Sequence, residues 1–211
     1  MKVLLINGSP HENGCTYTAL DQAAGPLHQA GVETDFFWLG REPISGCRGC
    51  RACFTLHRCV FDDAVNAFTE LAAQYDGFVF GSPVHYSGIS GEMKSFMDRV
   101  FYSAAQKEVN PFLFKPAAAI VSARRAGTTA ALDQLNKYLL YNQMLVPGSR
   151  YWNMVHGNTP EEVLQDEEGL QIMRVLGRNM AWFLRIKAAG EAAGIPLPAQ
   201  EEKRISTNFI R

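Results

Sequence analysis

The chain carries almost no net charge, with 21 acidic residues against 20 basic ones in 211. It therefore lacks the electrostatic footprint that nucleic acid or an anionic membrane surface would require. No apolar run approaches the eighteen or so residues of a membrane span. The apolar start "MKVLLIN" is short and no small-residue cleavage site follows it, so it reads as a buried first strand rather than a signal peptide. With no export signal, the expected compartment is the reducing cytoplasm. Also missing are HExxH, a Ser-His-Asp order and a paired-carboxylate arrangement, which removes the common hydrolytic chemistries. Cysteine is scarce, five in all, yet Cys47, Cys50, Cys53 and Cys59 fall within thirteen residues. In a reducing compartment such crowding points to metal binding or catalysis before disulfides.

What is present is an alternation. Compact apolar runs at 2–7, 33–39, 76–82 and 116–122 are bounded by turn residues, as strands buried on both faces are, and a longer run at 145–155 is interrupted by Pro147 and Gly148. Helical patterns fill 16–30, 62–75, 91–105, 127–144 and 161–190, with Leu132, Leu135, Tyr138 and Leu139 on one face of the fourth. Pro26 predicts a kink or early stop near Gly25. Strand–helix alternation over a chain of this length gives one α/β domain, a parallel sheet with helices on both faces. Residues 1–190 form that domain; 191–211 are a polar, Pro-containing tail that would order against a partner subunit.

The first strand runs into "NGSPHENGCTYTAL". A Gly/Ser/Thr-rich loop between a buried strand and a helix start is a ready anion site, since loop N–H groups and the helix dipole converge there. A Walker loop is excluded because five residues separate Gly8 from Gly14 and no Lys follows, and GxGxxG is absent. Neutral hydroxyls and backbone donors suit a monophosphate such as that of FMN. The same Ser9, Thr16 and Thr18 also serve as ordinary helix caps, so the loop alone leaves both readings open. A second turn, "GSPVHYSGISGEMKSFMDR" (81–99), follows the third strand and would flank the same crevice at the carboxyl ends of neighbouring strands. Lys94, Asp98 and Arg99 read as a salt-bridged anchor for it.

The pair "GSPHENGCT" and "GSPVHYSGISGEMKSFMDR", with "SARRAG" and "SRYWNMVHG", resembles the NADPH-dependent FMN reductase family over roughly residues 1–190. The resemblance implies a flavodoxin-like three-layer α/β sandwich with a five-stranded parallel sheet. It implies that Ser9, His11, Gly14, Cys15 and Thr16 surround the FMN phosphate. Ser82, Pro83, Val84, His85, Tyr86 and Ser87 would hold the isoalloxazine edge, mainly through backbone, with Arg124, Arg125 and Gly127 near the ring. His11 and Cys15 depart from the family's usual basic residue and Asn or Ser. Relatives of this kind form dimers or tetramers.

The cysteine spacing is C-x2-C-x2-C-x5-C. Zinc modules usually pair two knuckles a dozen residues apart, whereas three cysteines in so tight a run look like a ferredoxin ligand run. The spacing and the following Asp62-Asp63 resemble the iron–sulfur flavoprotein branch of the same family, which implies a [4Fe–4S] cluster at Cys47, Cys50, Cys53 and Cys59. Arg48, Arg51 and Arg58 interleave with the thiols and would stabilise a negative cluster. Structural zinc and free thiols remain open alternatives. His28 and His57 show no partner pattern and read as surface or loop residues rather than catalysts, His85 and His156 fall in loops facing the crevice, Trp152 reads as a core aromatic, and Asp166, Glu167 and Glu168 read as a solvated run. The function expected is an FMN-dependent oxidoreductase passing electrons from NAD(P)H or reduced ferredoxin to a quinone, flavin, oxygen or metal-type acceptor. FMN would convert two-electron to one-electron chemistry and a cluster would relay. The alternative is a non-enzymatic electron-transfer or redox-sensing protein centred on the cysteines.

Overall fold

The five apolar segments become the strands of one sheet, and its order decides where a ligand can sit. The computed structural model of the chain describes residues 1–200, 202, 205–207 and 209. The strands are β1 (Lys2–Asn7), β2 (Glu33–Trp38), β3 (Gly77–His85), a two-residue β4 (Gly88–Ile89), β5 (Ala117–Ala123) and β6 (Met154–His156). Five lie parallel in the order β2-β1-β3-β5-β6, and β4 pairs antiparallel with the end of β3. The helices are α1 (Cys15–Gln29), α2 (Cys53–Leu56), α3 (Ala64–Leu71), α4 (Gly91–Ala104), α5 (Thr128–Tyr141), α6 (Pro160–Val163) and α7 (Glu167–Ala192). None of them is long and apolar enough to cross a membrane.

The period-two alternation of each strand divides the core. Leu4, Ile6, Phe78, Phe80, Ala117, Ala119 and Val121 face one side, where Phe68 of α3, Phe96 of α4 and Phe112 complete an aromatic cluster. Val3, Leu5, Val79, Ala118 and Ile120 face the other, under Leu20 and Leu27 of α1 and Met173, Leu176 and Met180 of α7. The result is the flavodoxin-like three-layer sandwich. The order in which the strands are laid down reverses between β1 and β3, so their carboxyl ends open a crevice.

Four local readings are corrected. α1 does not stop at Gly25; it continues to Gln29 through a buried Pro26. The carbonyl that loses its donor belongs to Gln22, which lines an open surface groove with Gly25, His28 and Arg174, where water can reach it. Pro26 packs beneath Gly177 of α7, where an added Cβ would stand 2.2 Å from the Ala23 carbonyl oxygen. Strand β2 is not buried on both faces: it is the sheet edge, with Glu33, Asp35 and Phe36 exposed. The run 145–155 is a strand only at its end, because Pro147 and Gly148 interrupt it; Leu145 makes one isolated bridge to Pro116, and Asn153 closes the gap by donating to Ala119 O and accepting from Val121 N. The segment 161–190 is two helices divided at Asp166. That residue is no part of a solvated run: its carboxylate caps α7 through Gly169 N–H and also accepts from His156 N–H.

Beyond α7, residues 195–200 are exposed and irregular. The expected packing of the tail falls partly on 201, 203, 204, 208, 210 and 211, outside the described residues.

Candidate functional site

The loop after β1 is built by a buried asparagine that sequence reasoning passed over. Asn7 Oδ1 accepts from Ser9 N–H at 3.0 Å, while its Nδ2 donates to Glu12 O at 2.8 Å and His11 O at 3.4 Å. Ser9 Oγ accepts from His11 N–H at 3.1 Å, and Trp38 Nε1 donates to Ser9 O at 2.8 Å. The seven loop residues 8–14 are thereby wrapped around the amino end of α1. The helix opens on Gly14 with no side-chain cap and no acidic residue in its first turn. α5 likewise opens on Gly127 without a side-chain cap, whereas α3, α4 and α7 are capped by Asp63, Ser90 and Asp166. The single-turn α2 in the cysteine loop is uncapped too, but the uncapped starts of α1 and α5 are those assigned to the phosphate and the ring, and their N–H groups suit an anion.

Of the phosphate-loop residues, Ser9 and Thr16 are buried, Gly14 and Cys15 half-buried and His11 exposed. Thr16 Oγ1 shares a 2.8 Å hydrogen bond with Ser122 Oγ of β5. The Cys15 side chain turns away toward Gly157 O, 3.7 Å from its Sγ, so what Cys15 offers the loop is its backbone. Burial, with Glu162 and Glu161 nearby, pushes its thiol up in spite of a backbone hydrogen bond, which keeps it protonated.

The ring-side loop is a hairpin that the sequence does not announce. Val84 pairs with Ile89 and His85 with Gly88, leaving Tyr86 and Ser87 as the two turn residues, with φ of +49° and +60°. A two-residue turn of this hand is normally built from Asn and Gly. Here a fully exposed Tyr86 holds a left-handed conformation, a strained arrangement of the kind kept at functional loops. Ser82, wholly buried, anchors the base: its Oγ donates to Pro83 O at 2.9 Å and accepts from Ser90 N–H at 3.0 Å, while Ser90 Oγ donates to Gly8 O at 2.8 Å. Gly8 N–H also donates to Gly81 O, so the two loops are stitched together across the β1–β3 switch point. On the far side stands Gly127, at φ +93°, where an added Cβ would lie 2.7 Å from Ser87 Cα. Arg124 and Arg125 are exposed beside it, and His85 is exposed at the hairpin. The structure thus gathers all the residues assigned to phosphate and ring at one end of the sheet. The donor set, neutral hydroxyls plus two uncapped helix starts, fits a flavin mononucleotide.

The cysteine loop runs down α4 as a strap. Ser45 O accepts from Arg99 Nη1 at 3.2 Å, Phe54 packs edge-on against Tyr102 at 6.1 Å, and His57 Nδ1 lies 2.5 Å from Gln106 O. Cys47, Cys50, Cys53 and Cys59 all line one shallow pocket, closed on the protein side by Arg99, Tyr102 and Ser103. Cys47 and Cys50 are exposed, Cys59 is half-buried and Cys53 is buried. Burial, and then the nearness of the other three thiols, pushes the Cys53 thiol up against an opposing backbone hydrogen bond. Among the described residues no three of His, Cys, Asp and Glu stand together as they would around a single metal ion. Around one zinc, four thiolates sit about 3.8 Å from one another. The ligands of a four-iron cube, with the cube between them, stand further apart. The pocket lies beside Arg99 to Ser103, eight to twelve residues along α4 from Gly91. At 1.5 Å per residue this is about 12–18 Å from the ring-side loop, so the thiols are not next to the flavin site of the same chain.

Of the cations expected around the thiols, Arg48 and Arg51 line the same pocket, Arg48 over the Phe61 ring at 5.0 Å, while Arg58 pairs with Asp62. The guanidinium that touches sulfur is Arg99, whose Nε and Nη2 both donate to Cys59 Sγ at 3.3 Å and which pairs with Asp63 at 2.6 Å. Lys94 and Asp98 pair with each other, and Tyr138 donates to Asp98, so only these two serve as the local anchor that was expected of all three. Asn66, buried, fixes the Cys59 backbone by accepting from its N–H and donating to its carbonyl, both at 3.0 Å. His28 and His57 are exposed, as expected, and bond to Thr34 and Gln106, whereas Trp152 is exposed and not a core residue.

Comparison with known proteins agrees with this architecture. Residues 1–159 match the family model described as NADPH-dependent FMN reductase. An iron–sulfur flavoprotein of Methanocaldococcus jannaschii is 28% identical over 196 residues, covering 88% of this chain and 98% of its own. A second from the same organism is 29% identical over 188 residues, covering 82% and 92%. The solved structure of an archaeal flavodoxin superposes with a TM-score of 0.58 at 14% identity, covering 88% of this chain and 99% of its own, which speaks to the fold. The matched span holds both ligand loops and all four clustered cysteines, and the chain belongs to the NADPH-dependent FMN reductase family, on a flavodoxin-like fold.

Proposed function

We propose that the protein is an FMN-dependent oxidoreductase. It would take electrons from NAD(P)H or reduced ferredoxin and deliver them to a quinone, flavin, oxygen or metal-type acceptor. A [4Fe–4S] cluster would be held by Cys47, Cys50, Cys53 and Cys59. The observation that carries the reading is the convergence of two uncapped helix starts and a strained hairpin at the β1–β3 switch point. Ser9, His11, Gly14, Cys15 and Thr16 would hold the phosphate, chiefly through N–H groups and the two buried hydroxyls. Ser82 to Ser87 and Gly127 would seat the ring edge, and Arg124 and Arg125 would supply positive charge beside it. Bound there, FMN supplies hydride acceptance and stepwise electron release; a cluster supplies one-electron transfer.

Four thiols around one pocket support the cluster reading, with structural zinc as the alternative that metal analysis separates. The same reading has the protein act in the cytoplasm as a homodimer or homotetramer. Steady-state oxidation of NADH, NADPH and reduced ferredoxin, with FMN and a panel of acceptors, tests the enzyme. FMN-dependent turnover with at least one pair is expected. Negligible turnover with every pair overturns the enzymatic reading in favour of a carrier or sensor.

A further inference from the structure

Arg99 is the only charged residue among the buried ones described, its side chain 1% exposed. All five of its N–H donors find acceptors. Nη1 gives to Asp63 Oδ2 at 2.6 Å and Ser45 O at 3.2 Å. Nη2 gives to Asp63 Oδ1 at 2.9 Å, with Cys59 Sγ at 3.3 Å and Phe61 O at 3.5 Å sharing its other face, and Nε gives to Cys59 Sγ at 3.3 Å. Asp63 alone would neutralise the charge, yet two donors are spent on a sulfur. A thiol is a weak acceptor, whereas a metal-bound thiolate is a strong, charge-assisted one. No side-chain hydrogen bond falls on Cys47, Cys50 or Cys53 among the described residues, so the four thiols are unequal. One is clamped at its backbone by Asn66 and at its sulfur by Arg99.

We propose that Arg99 is a positioning residue that fixes Cys59 as a ligand and, through its two N–H···S bonds, holds the cluster's reduction potential up. The inference rests on the cluster assignment above. Reduction adds one negative charge to a cluster already surrounded by thiolates. A guanidinium within hydrogen-bond distance of one ligand sulfur, on the dry side of the pocket, favours the reduced state over the oxidised one. Asp63 sits behind the guanidinium and offsets part of its charge, so the two residues act on the potential with opposite signs. That opposition separates tuning from scaffolding: a merely structural contact has no reason to shift the potential up for one variant and down for the other.

The test is an EPR-monitored potentiometric titration of the anaerobically purified holoprotein, wild type beside Arg99→Gln, Arg99→Lys and Asp63→Asn. Iron and sulfide are counted in each, and the flavin couple is followed in the same titration. Asp63→Asn retains an α3 cap, since Asn serves there as well as Asp. The expected result is that Arg99→Gln makes reduction of the cluster at least tenfold less favourable, 59 mV for a one-electron couple. Arg99→Lys, which keeps a cation and gives up the fork, falls between it and wild type, so a failure of Arg99→Gln to assemble leaves the comparison intact. Asp63→Asn shifts the other way, and the flavin couple, about 12–18 Å along α4, stays in place. Full cluster content with unmoved potentials, or shifts of the same sign in the Arg99 and Asp63 variants, overturns the inference while leaving the cluster assignment standing. Wild-type protein without iron and sulfide overturns both.

Discussion

Replacing Gly127 by alanine puts a methyl group against the tip of the ring-side hairpin, whose base α5 holds separately through Gln134 Oε1, the acceptor of the Ile89 N–H at 3.1 Å. The new Cβ would stand 2.7 Å from Ser87 Cα, 2.8 Å from Ser87 Oγ and 3.1 Å from Ser87 Cβ, and the backbone there has φ +93°. An L-residue in that region costs about 1–2 kcal/mol by itself. The overlap cannot be relieved by a rotamer, because the first obstacle is a backbone atom. The fold has a cheap escape from the overlap: Tyr86 and Ser87 are exposed and already strained, so the hairpin swings away and the variant loses little beyond the roughly 1–2 kcal/mol of the backbone itself. A flavin that needs the hairpin in place must then restore it against roughly 1.5–3 kcal/mol, which weakens binding about ten- to hundredfold. Titrating apoprotein with FMN by flavin fluorescence reads this directly, with thermal denaturation as the control on folding. A dissociation constant within twofold of wild type, in a folded variant, would show that the hairpin does not seat the ring.

Three further outcomes follow from the packing. Asn66→Ala strips partners from Cys59 N, Cys59 O and Phe61 O, and should lower the urea midpoint by an amount equal to about 2 kcal/mol with m unchanged, as well as iron retention; an unchanged midpoint contradicts the clamp. Gly177→Ala should destabilise by about 1–3 kcal/mol, although helix propensity alone gives alanine about 1 kcal/mol, because the methyl meets the Ala23 carbonyl oxygen of α1; a raised melting temperature refutes the close approach. Burial, then its hydrogen bond to Asp35, holds the Tyr75 pKa up at about 12, so the folded state keeps that proton longer than the unfolded one does. Its contribution to stability is full below about pH 10 and is lost as pH rises toward 12; Tyr75→Phe should flatten the alkaline limb of the stability profile, and an identical limb counts against the bond.

Much of the fold was legible because it is written in local periodicity. Val3, Leu5 and Leu4, Ile6 alternate between two cores, and the helices that cover them keep a 3.6-residue stripe. The four cysteines announce themselves by spacing alone. What stayed hidden was made by partners remote in sequence or by atypical chemistry. Arg99 reaches Cys59 across forty positions, while Arg58, adjacent to the thiols, pairs with Asp62. The hairpin at Tyr86-Ser87 lacks the Asn-Gly signature that would have revealed it. Asp166 was masked by two acidic neighbours, although an Asp three residues before Gly169 is itself a capping pattern. Pro26 misled because its cost depends on whether water reaches the Gln22 carbonyl, which only the tertiary arrangement decides.

The central claim is that one chain carries a flavin site at the β1–β3 switch point and a cluster site beside α4. An absorption spectrum of the anaerobically purified protein, quantified for FMN, iron, zinc and sulfide, tests it in one sample. The account predicts flavin bands over a broad cluster absorption, with about one FMN, four irons and four sulfides per chain. Colourless protein that takes up no added FMN would contradict it.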